Sequence, residues 1–425
     1  MFGNEGMGYG RFRYHTNHLH CENIPLADLA QRFGTPLYVY SRAAILENAQ
    51  AYRAHAPHAA LVCFAMKANG NPAILRLLAD AGLGADVTSG GELFLALKAG
   101  FAPETIIYSG VGKLHHEIEA ALAANIRALH VESVMELELI AAIASQRQQV
   151  ASIGVRVNPD IHVETHPAIS TGAAQHKFGV APETAVTLLH QAAQHPWLKP
   201  VGLAAHLGSQ IHEIAPFTAA ANFLVALADE LASGGIRLDY IDVGGGLGVA
   251  YEREKWEVKS EKIGEWVTAV AAPIQATGYG LVVEPGRSIV AAAGVLLTQV
   301  VYTKPQGKKM FAIVDAAMND LIRPTLYNAH HEILPVHVRR TSEVRRTYDI
   351  VGPICETGDF LAKERPFPPL APGDLLAVCH AGAYGFAMSS NYNGRLRPAE
   401  VLVDGENVHL IRQRQTYDHL LDGTC

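Results

Sequence analysis

Several features that would assign a chain to a class are missing or scarce here. Lysine and arginine number 34 against 41 aspartates and glutamates, a net charge of −7, so there is no basic surface for nucleic acid. No apolar run approaches the roughly 20 residues that a membrane span needs. The first twenty residues mix glycine, arginine, histidine and aromatics and lack the apolar core of a secretory signal. Cysteine is sparse. Cys21, Cys63, Cys355, Cys379 and Cys425 are odd in number and far apart, with no Cys-x-x-Cys pair, which argues against both a zinc site and a disulfide framework. The 21 histidines are scattered, without the His-Glu-x-x-His spacing of a metal site. What remains is the expectation of a cytoplasmic enzyme that holds no metal and binds neither nucleic acid nor membrane. With 49% hydrophobic residues over 425 positions, the chain can bury a large barrel and a smaller second domain.

The stretch Phe64-Ala65-Met66-Lys67-Ala68-Asn69 organises what is present. It follows the apolar run Leu61-Val62-Cys63 and precedes a helix-like segment that starts near Asn71-Pro72. A lysine is thereby set where a buried strand ends. Burial lowers the pKa of an ammonium, and a lysine kept partly neutral is a nucleophile toward carbonyl carbon. The competing reading is an exposed loop lysine.

Eight β-like runs alternate with helix-period segments: Ala60–Ala65, Gly84–Val87, Thr105–Tyr108, Ala128–Val131, Ser152–Val157, Val201–Ala205, Tyr240–Val243 and Leu281–Val283. The intervening segments include Gly91–Lys98, Val134–Ser145, Glu183–Gln194, Ala219–Ala232 and Lys262–Thr277. Such alternation means parallel βα units, and eight of them predict an α/β fold with a (β/α)8 barrel over residues 42–290. Ser41 reads as the N-cap of a helix over 42–55. Beyond about residue 290 β-like runs dominate: Val295–Tyr302, Met310–Val314, Glu343–Val351, Asp374–Val378, Val401–Val403 and Val408–Arg412. Turn signals separate them, and Pro366–Pro372 reads as a Pro-rich loop. This predicts a second, all-β domain of Greek-key type over 291–425. The N-terminal segment 1–41 joins it through the run Pro36–Tyr40. Met1–Gly10 matches no motif and reads as a loose leader.

In a barrel of parallel strands the reactive residues follow the C-terminal strand ends. Lys67 follows run one, Asp86-Val87-Thr88-Ser89 covers the end of run two, and Asn158-Pro159 follows run five. His206-Leu207-Gly208-Ser209 follows run six, Gly244-Gly245-Gly246-Leu247-Gly248 run seven, and Glu284-Pro285-Gly286-Arg287 run eight. A glycine-rich turn frees backbone N–H groups to converge on a phosphate, with Gly286 placed to donate to the same group; a tight turn is the plainer reading. Glu284 ends an apolar strand and needs a partner. The protonated ring nitrogen of a pyridine cofactor is suitable, and Arg287 is the alternative. The His206 imidazole can stack on such a ring, or be a satisfied core residue. The Ser209 hydroxyl can reach a phosphate oxygen.

Taken together, Phe64–Asn69, His206-Leu207-Gly208-Ser209-Gln210, Asp242-Val243-Gly244-Gly245-Gly246 and Glu284-Pro285-Gly286-Arg287 resemble the signatures of the pyridoxal-phosphate-dependent decarboxylases of the alanine-racemase-like fold. Four further blocks are similar to the branch that acts on meso-diaminopimelate. They are Ile169-Ser170-Thr171-Gly172 with Lys177-Phe178-Gly179, Asn319–Tyr327, Gly352–Asp359 and Ala381-Gly382-Ala383-Tyr384-Gly385. The resemblance runs from about Val39 to Tyr392. It implies that pyridoxal 5'-phosphate is carried on Lys67, with Asp86 nearby, His206 against the ring and Glu284 on the ring nitrogen. It implies that Ser209, Gly244, Gly245, Gly246, Gly286 and Arg287 hold the phosphate, with the Tyr384 hydroxyl close by. Arg287, Arg323, Tyr327 and Tyr384 are implied for the substrate, the first three gripping its distal carboxylate, and Glu356 for its distal ammonium. The resemblance also implies that Cys355 and Glu356 reach the active site from the partner subunit of a homodimer, and that Cys355 influences reprotonation after carbon dioxide leaves.

That substrate suits the residues. Arginine binds a carboxylate in forked geometry, whereas a decarboxylase for ornithine or lysine has no use for the arginines. The alternative within enzymes is a related decarboxylase for another carboxylate-bearing amino acid, such as carboxynorspermidine. A non-catalytic relative would be expected to lose Cys355, Arg323 or Glu356, and all three are present. His176 and the run Ala329-His330-His331 after Tyr327 depart from the pattern at positions that the sequence ties to no chemistry.

Overall fold

The computed structural model describes residues 8–161, 163, 177–251, 260–338 and 345–425. The block Ile169–Gly172 and His176 lie outside these. The chain falls into two compact units: Asn48–Gly248 with Lys259–Ser288, and Met1–Glu47 with Val249–Val258 and Ile289–Cys425.

The first unit is built on a closed barrel of eight parallel strands. They are β1 (Leu61–Ala65), β2 (Gly84–Val87), β3 (Ile106–Tyr108), β4 (Ala128–Val131), β5 (Ala151–Arg156), β6 (Leu198–Ala204), β7 (Tyr240–Asp242) and β8 (Gly280–Val283). Each pairs with the next, and β8 closes on β1 through Val282–Leu61 and Val283–Val62. Strands β2, β3, β4 and β7 are buried at every position, as expected when helices cover one face and barrel side chains the other. This is why they read in the sequence as apolar runs. Strand β6 begins three residues earlier than its run because Pro200 sits at a bulge: the register with β5 shifts just past Ile153–Pro200, where a missing N–H is tolerated.

Helix starts follow from local chemistry. The Ser89 hydroxyl accepts from the Glu92 N–H and Ser133 from the Glu136 N–H, capping helices Gly90–Ala99 and Val134–Arg147. Asn71 accepts from the Ala73 N–H, with Pro72 at the first helical position of Pro72–Asp80. Within the barrel Cys63, Ile107, Ala128, Val201, Tyr240 and Val282 form one apolar cluster.

The second unit is a mostly β body. Its main sheet runs Phe360–Phe367, Arg346–Val351, Lys309–Val314, Gly294–Gln306, Leu37–Ser41, Ala399–Asp404 and Asn407–Arg412. Leu375–Val378 pairs with Gly294–Gln306 and with Ile333–Pro335. The strand Leu37–Ser41 lies between two strands from the C-terminal half, so the β body is assembled from both ends of the chain. Ser41 Oγ accepts from the Ala44 N–H at 3.1 Å and caps helix Arg42–His55.

Two features depart from the sequence reading. Gly8–Tyr9, inside the stretch read as a loose leader, pairs with Phe12 and Arg13 in a four-stranded antiparallel sheet that ends at Pro25. Phe12, Tyr14 and Leu19 of that sheet share a core with Val39, Val295 and Leu334. The strand Phe360–Phe367 runs through Pro366, where a loop was expected. It is the edge strand, and an edge leaves the N–H that proline lacks without a ladder partner to lose.

Candidate active site

Strand β1 ends at Ala65, and a single 3-10 turn, Met66–Ala68, presents Lys67. The turn is fixed from behind, since the Asn69 N–H donates to the Met66 carbonyl and the Ala65 N–H to the Pro285 carbonyl, both at 3.0 Å. Lys67 Nζ lies 3.2 Å from Asp86 Oδ2 on β2. The Asp86 side chain is fully buried, whereas that of Lys67 is 38% exposed. The lysine is therefore not enclosed in an apolar pocket, as its strand-end position implied. The barrel mouth is open at this point, and a carboxylate faces the amine.

The glycine-rich turn after β7 closes against its neighbours. The Gly244 N–H donates to Asp242 Oδ1 at 2.8 Å, and the Glu284 N–H donates to the Gly244 carbonyl at 2.8 Å. The Ile211 N–H donates to the Gly246 carbonyl at 3.0 Å. A Cβ on Gly245 would lie 2.0 Å from the Glu284 carbonyl oxygen, and one on Gly246 would lie 2.1 Å from that of Gly208, with Gly246 at φ +113°. Only glycine fits either position. The Gly245 N–H donates to His206 Nδ1 at 3.2 Å, so the proton of the neutral ring is on Nε2. Burial, with Lys67 and Arg156 adding their charge, holds that imidazole well below its usual pKa, and it stays neutral.

Glu284, at the end of β8, is buried beside two other carboxylates. Burial, then Asp242 and Asp86, pushes its pKa well above the usual range; burial raises Asp242 to about 7. Behind Glu284 runs a chain of hydrogen bonds. Ser109 Oγ donates to Glu284 Oε1 at 3.3 Å, His130 Nδ1 lies 3.3 Å from Ser109 Oγ, and His130 Nε2 lies 2.8 Å from the Tyr240 hydroxyl. Because Ser109 gives its proton to Glu284, His130 Nδ1 donates to Ser109, and Tyr240 donates to His130 Nε2. Burial keeps His130 neutral, with its pKa lowered to about 3.

At the ends of β4 and β5 Arg156 Nη1 is 3.2 Å from Glu132 Oε1. Glu132 also accepts from the N–H groups of Gly110 and Gly179, each at 2.9 Å. The Arg156 guanidinium lies 5.0 Å over the Phe178 ring, which ties Lys177-Phe178-Gly179 to the barrel mouth. At the end of β8 Arg287 Nη2 donates to Ser209 Oγ at 2.9 Å, joining two residues expected near the phosphate.

Lys67, Asp86, His206, Ser209, Gly244 to Gly246, Glu284, Gly286 and Arg287 lie at or beyond the C-terminal ends of barrel strands, where the strand-end rule puts them. The strands of runs three and four are followed by Ser109 and Glu132, and β5 ends on Arg156; the sequence reading singles out none of the three.

The other residues that the resemblance implies lie in the β unit. Arg323 opens the short helix Arg323–Tyr327 and is 5% exposed; Tyr327 closes it. Cys355 and Glu356 lie exposed on a loop whose base is tied by Asp359, which accepts from the N–H groups of Met318 and Ile354 at 2.7 Å. Glu356 Oε2 accepts from the Tyr392 hydroxyl at 2.9 Å. Tyr384 has φ +55°, a left-handed conformation uncommon for a large side chain and frequent at functional sites.

The barrel mouth fits pyridoxal phosphate. Asp86 Oδ1 is buried and has no hydrogen-bond partner among the described residues. Three buried carboxylates stand together there, and burying them is costly unless cations complete them. A protonated ring nitrogen at Glu284 would supply such a cation. In the glycine turn the Gly244 and Gly245 N–H groups are engaged by Asp242 and His206, and the absence of side chains there would let a phosphate approach the backbone. His130, Asp242 and Glu284 also stand within metal-binding distance of one another. His130, however, has both ring nitrogens engaged by Tyr240 and Ser109.

Residues 42–291 match the family model for the pyridoxal binding domain of pyridoxal-dependent decarboxylases. A diaminopimelate decarboxylase of Pseudomonas aeruginosa is 48% identical over 415 residues, covering 97% of this chain and 98% of that one. The crystal structure of diaminopimelate decarboxylase from Helicobacter pylori complexed with L-lysine is 40% identical, with a TM-score of 0.88 over 93% of this chain and 98% of that one. The M. jannaschii diaminopimelate decarboxylase structure in co-complex with L-lysine is 34% identical, with a TM-score of 0.91 over 99% of both chains.

Proposed function

The chain belongs to the diaminopimelate decarboxylases, a branch of the pyridoxal-dependent decarboxylases, and from that membership we propose how its residues carry the reaction. It is a pyridoxal-phosphate-dependent carboxy-lyase that converts meso-2,6-diaminopimelate to L-lysine and carbon dioxide, the last step of lysine biosynthesis. The observation that carries the assignment of roles is the meeting of Lys67 and Glu284, on neighbouring strands β1 and β8, at one glycine-lined barrel mouth.

Pyridoxal phosphate, when bound, supplies an electron sink through its protonated ring nitrogen. Lys67 Nζ is its point of attachment, and Asp86 holds that amine in place. The Glu284 carboxylate holds the proton on the ring nitrogen, and neutral His206 packs against the ring. Ser209, Gly244 to Gly246, Gly286 and Arg287 bind the phosphate, with Tyr384 close by. Arg287, Arg323 and Tyr327 orient the distal carboxylate and Glu356 the distal ammonium. They thereby select which end of the substrate, its D-centre, loses carbon dioxide. Cys355 influences reprotonation after carbon dioxide leaves.

The active enzyme is a homodimer in which Cys355 and Glu356 serve the partner's site. Their exposure on the single chain supports this. A cytoplasmic location agrees with five free cysteines and with the absence, among the described residues, of a helix long and apolar enough to cross a membrane.

The test is carbon dioxide release from the purified protein with pyridoxal phosphate and meso-diaminopimelate, the LL isomer, carboxynorspermidine, ornithine or arginine in parallel. Release from the meso isomer alone, giving L-lysine, is expected. Release only from another amino acid would move the substrate assignment. Replacing Lys67 with alanine is expected to remove the borohydride-trapped cofactor adduct along with turnover, and full activity in that variant would refute the attachment.

A further inference from the structure

We propose that His331 fixes the geometry of Arg323, and through it sets selectivity for a substrate that carries a second carboxylate. The inference rests on the reading that Arg323 binds that carboxylate. The run Ala329-His330-His331 carries no chemistry that the sequence explains, yet the structure places His331 directly on the arginine.

Arg323 Nη1 lies 2.7 Å from His331 Nε2, and both side chains are buried. His331 Nδ1 lies 2.7 Å from the Cys379 carbonyl. A carbonyl only accepts, so Nδ1 bears the proton and the Nε2 lone pair faces the guanidinium. Burial, then the charge of Arg323, keeps this imidazole far below its usual pKa and neutral. The guanidinium carbon sits 4.5 Å over the Tyr251 ring. Tyr251 in turn packs edge-on against His331, centroids 5.0 Å apart, and tilted against His380 at 5.6 Å.

These two contacts constrain the plane and the rotation of Arg323. Tyr251 takes one face, and His331 takes one of the five N–H groups. The kind of acceptor matters. A carboxylate at His331 would hold the same N–H but cancel the positive charge. A neutral imidazole orients the fork and leaves the charge for the ligand. Without His331 the guanidinium keeps its seat on Tyr251 but loses a hydrogen bond that limits its rotation, and a planar two-point grip on a carboxylate depends on that limit. His331 is accordingly a positioning residue.

The test compares L-lysine, which keeps the distal carboxylate, with 1,5-diaminopentane, which lacks it. Binding of each to the holoenzyme is measured for wild type, His331→Ala, His331→Gln and Arg323→Ala. His331→Ala is expected to weaken L-lysine about 10- to 100-fold and diaminopentane less than about twofold, with the KM for diaminopimelate rising in step and kcat nearly constant. His331→Gln, whose amide oxygen can accept from Nη1, is expected to restore most of the loss. Equal weakening of both ligands, or none, would overturn the inference. A lysine preference that survives Arg323→Ala would refute the carboxylate role itself. A preference lost with Arg323→Ala but kept with His331→Ala would refute only the role of His331. If His331→Ala does not fold, His331→Asn replaces it, since its shorter amide cannot reach Nη1; equal preference in the Gln and Asn variants would count against the proposal.

Discussion

The Ser109 hydroxyl donates to Glu284 Oε1 at 3.3 Å, the last link of a chain that begins at Tyr240 and passes through His130. Each link points its proton toward Glu284, and a carboxylate that accepts is favoured in its ionised form. This opposes the burial that raises the Glu284 pKa. Ser109→Ala is therefore expected to weaken pyridoxal phosphate binding by about 10- to 100-fold, the worth of one hydrogen bond to a charged group. Glu284→Gln is expected to lower kcat by at least about 100-fold. Titration of the apoprotein with cofactor checks the first and steady-state rates the second. Unchanged affinity in Ser109→Ala would show that the chain only fills space.

The turn after β7 permits a controlled comparison of glycines. Gly246 combines φ +113° with a Cβ position 2.1 Å from the Gly208 carbonyl oxygen, whereas Gly278 has φ +83° and open space around it. Gly278→Ala meets strain alone and is expected to cost about 1 kcal/mol. Gly246→Ala meets strain and a backbone clash, and it is expected to cost at least about 3 kcal/mol while weakening cofactor binding. Urea denaturation of the two variants decides the point. Equal losses would mean that the turn moves aside without penalty.

The barrel was legible because parallel strands covered on both faces read as unbroken apolar runs, and β2 and β4 match theirs residue for residue. The N-terminal hairpins were not, because strands of two to four residues, such as Phe12–His15, give alternation too few positions to register. The site divides in the same way. Residues that follow a strand, such as Lys67 and Glu284, stand out as polar punctuation. His130 and Tyr240 lie inside strands, and their hydrogen bond joins residues 110 positions apart that no local spacing connects. His331 looked inert because the meaning of its position depends on which way an arginine eight residues earlier turns.

Buried titrating groups give opposite pH slopes. His380 is lowered to about 3 by burial and by Arg323. Its folded pKa lies below the unfolded value of roughly 6.5, so its contribution is whole above that pH and is lost as the pH falls toward 3, at up to about 1.4 kcal/mol per unit. Asp320 is raised to about 7, chiefly by burial, so it costs stability as the pH rises from roughly 4 to 7. Relative to wild type, His380→Asn is expected to gain stability as the pH drops from 6.5, and Asp320→Asn as the pH rises toward 7. Denaturant midpoints from pH 4.5 to 7 test both, and profiles parallel to wild type would contradict the assignment.

The proposed sharing of the active site between subunits makes a quantitative prediction about mixtures. Lys67→Ala removes the cofactor attachment from the barrel, and Glu356→Ala removes a carboxylate from an exposed loop of the β unit. Each homodimer carries the same lesion at both sites and is expected to be nearly inactive on diaminopimelate. In a heterodimer with shared sites, one site collects both lesions and the other neither. Unfolding and refolding the two variants together at equal amounts makes half of the dimers heterodimers, so activity is expected to recover to about a quarter of wild type. The same pairing with Cys355→Ala is expected to give the same recovery. If each chain instead completed its own site, every site in the mixture would keep a lesion and no mixing ratio would restore activity. A recovery that grows with the heterodimer fraction, measured by native mass spectrometry of differently tagged chains, separates these cases.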